Sequence, residues 1–229
     1  LPAPPSGPAT SAALVAEGLS HTWPGAQAPA LRDCALQLPH SGLWMLVGSN
    51  GSGKSTLLRL IAGLLPLQQG RLRCRLRCAL VFQNPDHQLL LPSCSSELLL
   101  AIDTRLDRAS RERRLEEALE QVGLAGLADR PIHALSGGQK QRLAIAAALA
   151  SEAELLLLDE PTALLDPDSQ REVLALIRRL TSRSARPLTA LWITHRLEEL
   201  DSCDGAALMR AGQVGPWQPG AELARRLAR

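Results

Sequence analysis

The 229-residue sequence predicts an α/β fold built on a mostly parallel sheet. Two observations carry that expectation. Short apolar runs alternate with longer helical patterns along the chain, the order that successive βαβ units require. One of those runs, Leu155–Leu158, is four consecutive leucines, which suits a strand covered on both faces. A hydrophobic content of 45% and a net charge of +2 are ordinary globular values, and they argue for neither nucleic acid nor an acidic partner.

Taken in order, residues 1–12 are rich in Pro, Ala and Ser and read as a flexible tail ahead of one domain over 13–229. Leu43–Val47 is the first strand-like run, and a helical pattern follows over 54–64. Arg alternates with Leu and Cys over residues 71–78, which predicts a strand with arginine outward. Ala79–Phe82 is the next strand, ending on Gln83 and the turn-forming Asn84-Pro85-Asp86. Helices are expected over 111–122, 138–150 and 168–180, and further strands at Leu155–Leu158 and Leu188–Ile193. The mixed charges beside Leu115, Ala118, Leu119 and Val122 read as the solvated face of a helix with one dry side. The chain closes on a basic helix-like AELARRLAR.

No apolar run approaches the roughly 18 residues of a membrane-spanning helix. Five scattered cysteines suit a reducing compartment. Cys74 and Cys78 read as half-buried thiols, because no neighbouring Cys or His completes a metal quartet. His21, His40, His87 and His133 show no ligand spacing. Among 25 basic residues only Lys54 and Lys140 are lysine, and both sit in glycine-rich stretches.

The first of those stretches, GSNGSGKST, comprises Gly48, Ser49, Asn50, Gly51, Ser52, Gly53, Lys54, Ser55 and Thr56. It lies between a strand and a helix, the context of a phosphate-binding loop. Its backbone N–H groups can cradle an anion, Lys54 can reach the β and γ phosphates, and Ser55 can ligate Mg²⁺. LLLLDEP, residues 155–161, sets two carboxylates at the end of a buried strand, where open α/β sheets place their ligands. Asp159 suits the Mg²⁺ shell and Glu160 suits polarising an attacking water. LSGGQKQR, residues 135–142, begins a second helix with Ser136, Gly137, Gly138 and Gln139, a further candidate anion site.

These motifs, in this order over about Leu14 to Leu227, resemble those of the ABC-transporter ATPases. The resemblance implies a P-loop NTPase (RecA-like) core, a reduced N-terminal antiparallel β subdomain, and an inserted helical signature subdomain over about 85–150. It makes Gln83 the Q-loop glutamine, shared between metal shell and attacking water. It also makes Ala163–Asp166 the D-loop and His195 the switch histidine, and it places Trp23 where the family stacks adenine. ATP and Mg²⁺ are the implied cofactors. A homo- or heterodimer would sandwich two ATPs, each between one P-loop and the partner's signature helix. The implied location is the cytoplasmic face of a membrane, against an integral transporter subunit, with no nucleic acid.

The wording VFQNPDHQ is similar to the ATPase subunits of energy-coupling-factor importers, which take up metal ions or vitamins. His87–Leu91 and Leu98–Ile102 are more apolar than a solvated loop, which predicts a groove there for a helix of the membrane subunit, with Leu89 and Leu91 on it. The other reading, a soluble ABC-type ATPase of nucleic-acid repair or translation, would call for a coiled-coil insert or a second ATPase half. A regulator without turnover would call for a damaged Glu160 or His195. Three departures from the family pattern stand out: a short stretch from Gly70 to Val81, Leu164 where the D-loop usually has glycine, and a brief segment after Met209.

Overall fold

The computed structural model describes residues 12–183 and 188–228; the expected N-terminal tail falls outside them except for Ala12. Three strands, β1 (Leu14–His21), β2 (Leu31–Leu38) and β4 (Gln69–Cys74), form an antiparallel sheet in the order β2-β1-β4. A second sheet is built from β3 (Gly42–Val47), β5 (Cys78–Val81), β6 (Leu155–Asp159), β7 (Thr189–Thr194), β8 (Gly205–Arg210) and β9 (Gln213–Val214). Its order is β5-β6-β7-β3-β8-β9, with every pair parallel except β8 with β9.

The strand period of two decides which core each residue joins. Along β6, Leu156 and Leu158 enter one apolar cluster, and Leu155 and Leu157 enter the other. On β7, Ala190 and Trp192 face the first cluster while Leu191 and Ile193 face the second. The first cluster gathers residues of α2 (Cys94–Ala101), α3 (Arg108–Gln121), α4 (Gly137–Ala150) and α5 (Pro167–Thr181). The second gathers α1 (Lys54–Ile61) and the inner face of the antiparallel sheet. The parallel sheet is therefore covered on both sides, as the leucine run predicted.

Helix ends follow their caps. The helix expected over 54–64 stops at Ile61, because Gly63 takes a left-handed φ of 72° and closes the turn. The one expected over 111–122 begins earlier, because Asp107 accepts the Ser110 N–H at 2.8 Å and so starts it at Arg108. Sequence reading left α2 as an apolar cluster; Ser93 and Ser96 cap each other's backbone and start a helix there. The closing basic segment is α6 (Gly220–Leu227), anchored by buried Leu223.

Candidate nucleotide-binding site

The phosphate loop links the end of β3 to the start of α1. Gly53, the N-cap of α1, has φ 103° and offers no side-chain cap, so the first-turn N–H groups are left for an anion. A side chain at Gly53 would run into the Ala30 carbonyl, so only glycine fits that turn. Lys54 is buried, and its Nζ donates to the carbonyls of Gly48 (2.7 Å) and Ser49 (3.1 Å). Burial lowers the Lys54 pKa, opposed by the negative charges of Glu160 and Asp159.

Ser55 Oγ donates to Asp159 Oδ1 at 3.0 Å, joining the loop to the end of β6. Asp159 is buried, and that burial raises its pKa against the Ser55 hydroxyl and the Arg59 charge, which lower it. A hydroxyl and a carboxylate so close suit a hard divalent cation such as Mg²⁺, which takes oxygen ligands. Glu160 follows with φ 46°, a left-handed backbone that a non-glycine residue adopts only at some cost. Its N–H is held by the Ile193 carbonyl at 3.1 Å, and its Oε2 lies 2.9 Å from His195 Nδ1. The bent backbone thus aims the carboxylate across to the end of β7.

Trp23, Asn50 to Thr56, Gln83, Asp159 and Glu160 line a single cavity of about 520 Å³. Trp23 forms one wall, with its Nε1 donating to Thr56 Oγ1 at 3.2 Å and its ring edge-on to His21 at 5.3 Å. Gly48 and Ser49 lie outside the lining and take part through their carbonyls; His195 takes part through Glu160.

The residues of the second candidate anion site, Ser136, Gly137, Gly138 and Gln139, do not line this cavity, nor does Asp166. Ser136 and Gln139 form a closed capping box, the Gln139 N–H donating to Ser136 Oγ at 3.2 Å and the Ser136 N–H to Gln139 Oε1 at 2.9 Å. The Ser136 and Gln139 amides are therefore satisfied within the helix start itself. Asp166 caps α5, accepting the N–H groups of Ser169 (3.0 Å) and Asp168 (3.1 Å), and those donors hold its carboxyl below the usual range.

Two connections went unread in the sequence. Gln141, fully buried on α4, donates Nε2 to the Phe82 carbonyl at 3.2 Å, immediately before Gln83. Lys140 Nζ pairs with Asp86 at 2.7 Å, just beyond Gln83. The helix that follows the Ser-Gly-Gly motif is thus tied to both flanks of the Gln83 loop. Lysine scarcity at Lys140 was the available signal; a glutamine in an Ala-rich helix gave none.

The expected docking face needs correction. Leu89 is buried at 8% exposure and belongs to the core, while Leu90 is 75% and Leu100 66% exposed. Buried Glu97 causes the register, since its Oε2 accepts the N–H groups of Leu90 (3.0 Å) and Leu91 (2.9 Å) and pins that loop on α2.

The family model described as "ABC transporter" matches residues 31–163. ABC transporter I family member 10 of Arabidopsis thaliana is 44% identical over 195 residues, covering 84% of this chain and 72% of that protein. The energy-coupling factor transporter ATP-binding protein EcfA1 of Levilactobacillus brevis is 36% identical over 211 residues, covering 86% and 75%. Among solved structures, cbiO1 from Clostridium perfringens, part of the ABC transporter complex cbiONQ, superposes with a TM-score of 0.84 at 29% identity, covering 94% of this chain and 92% of that one.

Proposed function

Because this chain belongs to the ABC transporter family as an ATP-binding, ATP-hydrolysing subunit, we propose that it powers an importer of the energy-coupling-factor type. Uptake of a metal ion or a vitamin is the proposed output. The observation that carries the catalytic part is the joining of Lys54, Ser55, Gln83, Asp159 and Glu160 around one cavity, with Glu160 bonded to His195. Trp23 stacks on adenine, and the loop Gly48–Thr56 cradles the phosphates through its N–H groups. Lys54 leaves its carbonyl partners to meet the β and γ phosphates. Ser55, Asp159 and Gln83 would hold Mg²⁺, which would neutralise phosphate charge when bound. Glu160, aimed by Nδ1–H of His195, accepts a proton from the attacking water.

The exposed Ser136 and Gly137, with Gly138 and Gln139, lie outside the lining of their own chain's cavity, and Asp166 caps the neighbouring α5. That separation supports a head-to-tail dimer in which they serve the partner's ATP. Among the described residues no helix is long and apolar enough to cross a membrane. The proposed coupling is to an integral membrane subunit, met from the cytoplasmic face by the helical segment about 85–150. Exposed Leu90 and Leu100 support that contact. The test is a pull-down in mild detergent, with the co-purifying membrane protein identified by mass spectrometry. Leu90→Glu with Leu100→Glu should release that partner and leave ATP binding by the free chain intact. Retention of the partner at wild-type yield would refute this docking surface.

A further inference from the structure

The sequence marks Cys74 and Cys78 as half-buried thiols, and the structure brings their sulfurs together. Cys74 ends β4 and Cys78 begins β5, so the pair closes the bend Arg75-Leu76-Arg77 that joins the antiparallel sheet to the parallel one. Their sulfurs lie 3.4 Å apart, and each is also 3.5 Å from the Leu76 carbonyl. Both are half-buried at the edge of the second apolar cluster, reachable from solvent, whereas Cys34 and Cys94 are fully buried. The bend is braced from outside: Glu154 Oε2 accepts the Arg77 N–H at 3.1 Å, and the Arg77 guanidinium pairs with Glu152 at 2.8 Å. The thiols are therefore held in place before any bond forms between them.

We propose that Cys74 and Cys78 form a reversible dithiol–disulfide site at the joint between the two sheets, oxidised by low-molecular-weight disulfides. The sulfurs must approach by about 1.4 Å to reach a bonded separation of about 2.05 Å, a movement within reach of two χ1 rotations at a bend. The two thiols share one hydrogen bond, and sharing it pulls the Cys74 pKa down to about 6 and pushes that of Cys78 up. Cys74 is accordingly the nucleophile and Cys78 the resolving thiol. With oxidised glutathione, the Cys74 thiolate attacks one sulfur, forming a mixed disulfide and releasing one glutathione thiolate. Cys78 then loses its proton and attacks Cys74 Sγ, releasing the second glutathione. Two electrons pass from the protein sulfurs to the glutathione disulfide, and the two protons end on the released thiols. In a reducing compartment such a bond forms and reverses with the thiol poise rather than serving as a permanent staple. Its position matters because β5 runs from Cys78 into the Gln83 loop.

The test equilibrates the folded full chain with oxidised and reduced glutathione, quenches in acid, alkylates free thiols and digests with trypsin. Cleavage after Arg73, Arg75 and Arg77 puts the two cysteines in separate peptides, so a bond between them yields one linked species. The expected result is that species, Cys74-Arg75 joined to the peptide of residues 78–105, with Cys94 alkylated and two hydrogens lighter than the same two peptides with Cys74 and Cys78 free. Dithiothreitol should remove it, and Cys74→Ser and Cys78→Ser should each lack it while melting cooperatively. The equilibrium constant should exceed that of the same chain in urea by at least about tenfold, the mark of thiols positioned by the fold. Recovery of both thiols free or only as separate glutathione adducts, or an equal constant in urea, would overturn the proposal.

Discussion

Gly138 stands in the signature motif, but its structural surroundings give it a second duty. A Cβ built there would lie 2.5 Å from Ser169 Oγ and 2.8 Å from Ser169 Cβ, closer than side chains tolerate. Gly138→Ala should therefore force the starts of α4 and α5 apart. Overpacking of that kind costs about 1–3 kcal/mol, and two contacts this short place it at the upper end. Alanine's better helix propensity returns up to about 1 kcal/mol, leaving a net loss of about 1–2 kcal/mol. For a chain of this size the thermal midpoint should fall by about 3–6 °C. The assay is a double-mutant cycle with Ser169→Gly, followed by calorimetry: removing the obstructing side chain should cancel most of the Gly138→Ala penalty. A Gly138→Ala protein that melts with wild type, or a penalty undiminished in the Ser169→Gly background, would refute the packing account.

Lys54→Ala should weaken ATP binding itself, by at least about tenfold in Kd, because phosphate charge loses its buried partner; isothermal calorimetry decides this. Trp23→Ala should raise the Kd for ATP about tenfold for each 1.4 kcal/mol of stacking lost. Trp23→Phe should restore much of it while forfeiting the bond to Thr56. Asp159→Asn should raise the melting point of the nucleotide-free chain while abolishing the extra stabilisation by ATP with Mg²⁺. Burial raises the Asp159 pKa, so between the unfolded and folded values the native chain binds more protons, and stability falls as pH rises through that window. The melting difference between Asp159→Asn and wild type should consequently vanish below the ordinary carboxylate pKa; a difference that widens toward acid would contradict it.

Much of the architecture was legible because spacing and context are written locally. The strand before Gly48, the helix after it, and the leucine run ending at Asp159 each carry a periodicity that no long-range contact has to supply. What escaped was set by distant partners. β1 pairs with both β2 and β4 through register shifts around the left-handed Gly18, which break the alternation that would have marked it as a strand. Three consecutive leucines could not reveal which one turns inward; Glu97, seven and six residues past Leu90 and Leu91 in hydrogen-bond partnership, decides it. Gln141 is the clearest case, a polar residue whose purpose exists only once the Phe82 carbonyl is folded beneath it. The motif likewise announced a helix start at Ser136, but only the reciprocal bond with Gln139 shows that this start is closed by a capping box.

The most direct test of the account is single-turnover and steady-state hydrolysis by Glu160→Gln, measured beside its ATP affinity. Glutamine keeps the shape of the side chain that faces His195 and removes the base. The account predicts ATP affinity within about threefold of wild type and a loss of turnover of about 10²–10⁴-fold, the contribution typical of a positioned general base. Turnover within tenfold of wild type, with binding intact, would contradict it and move the proton-accepting role elsewhere.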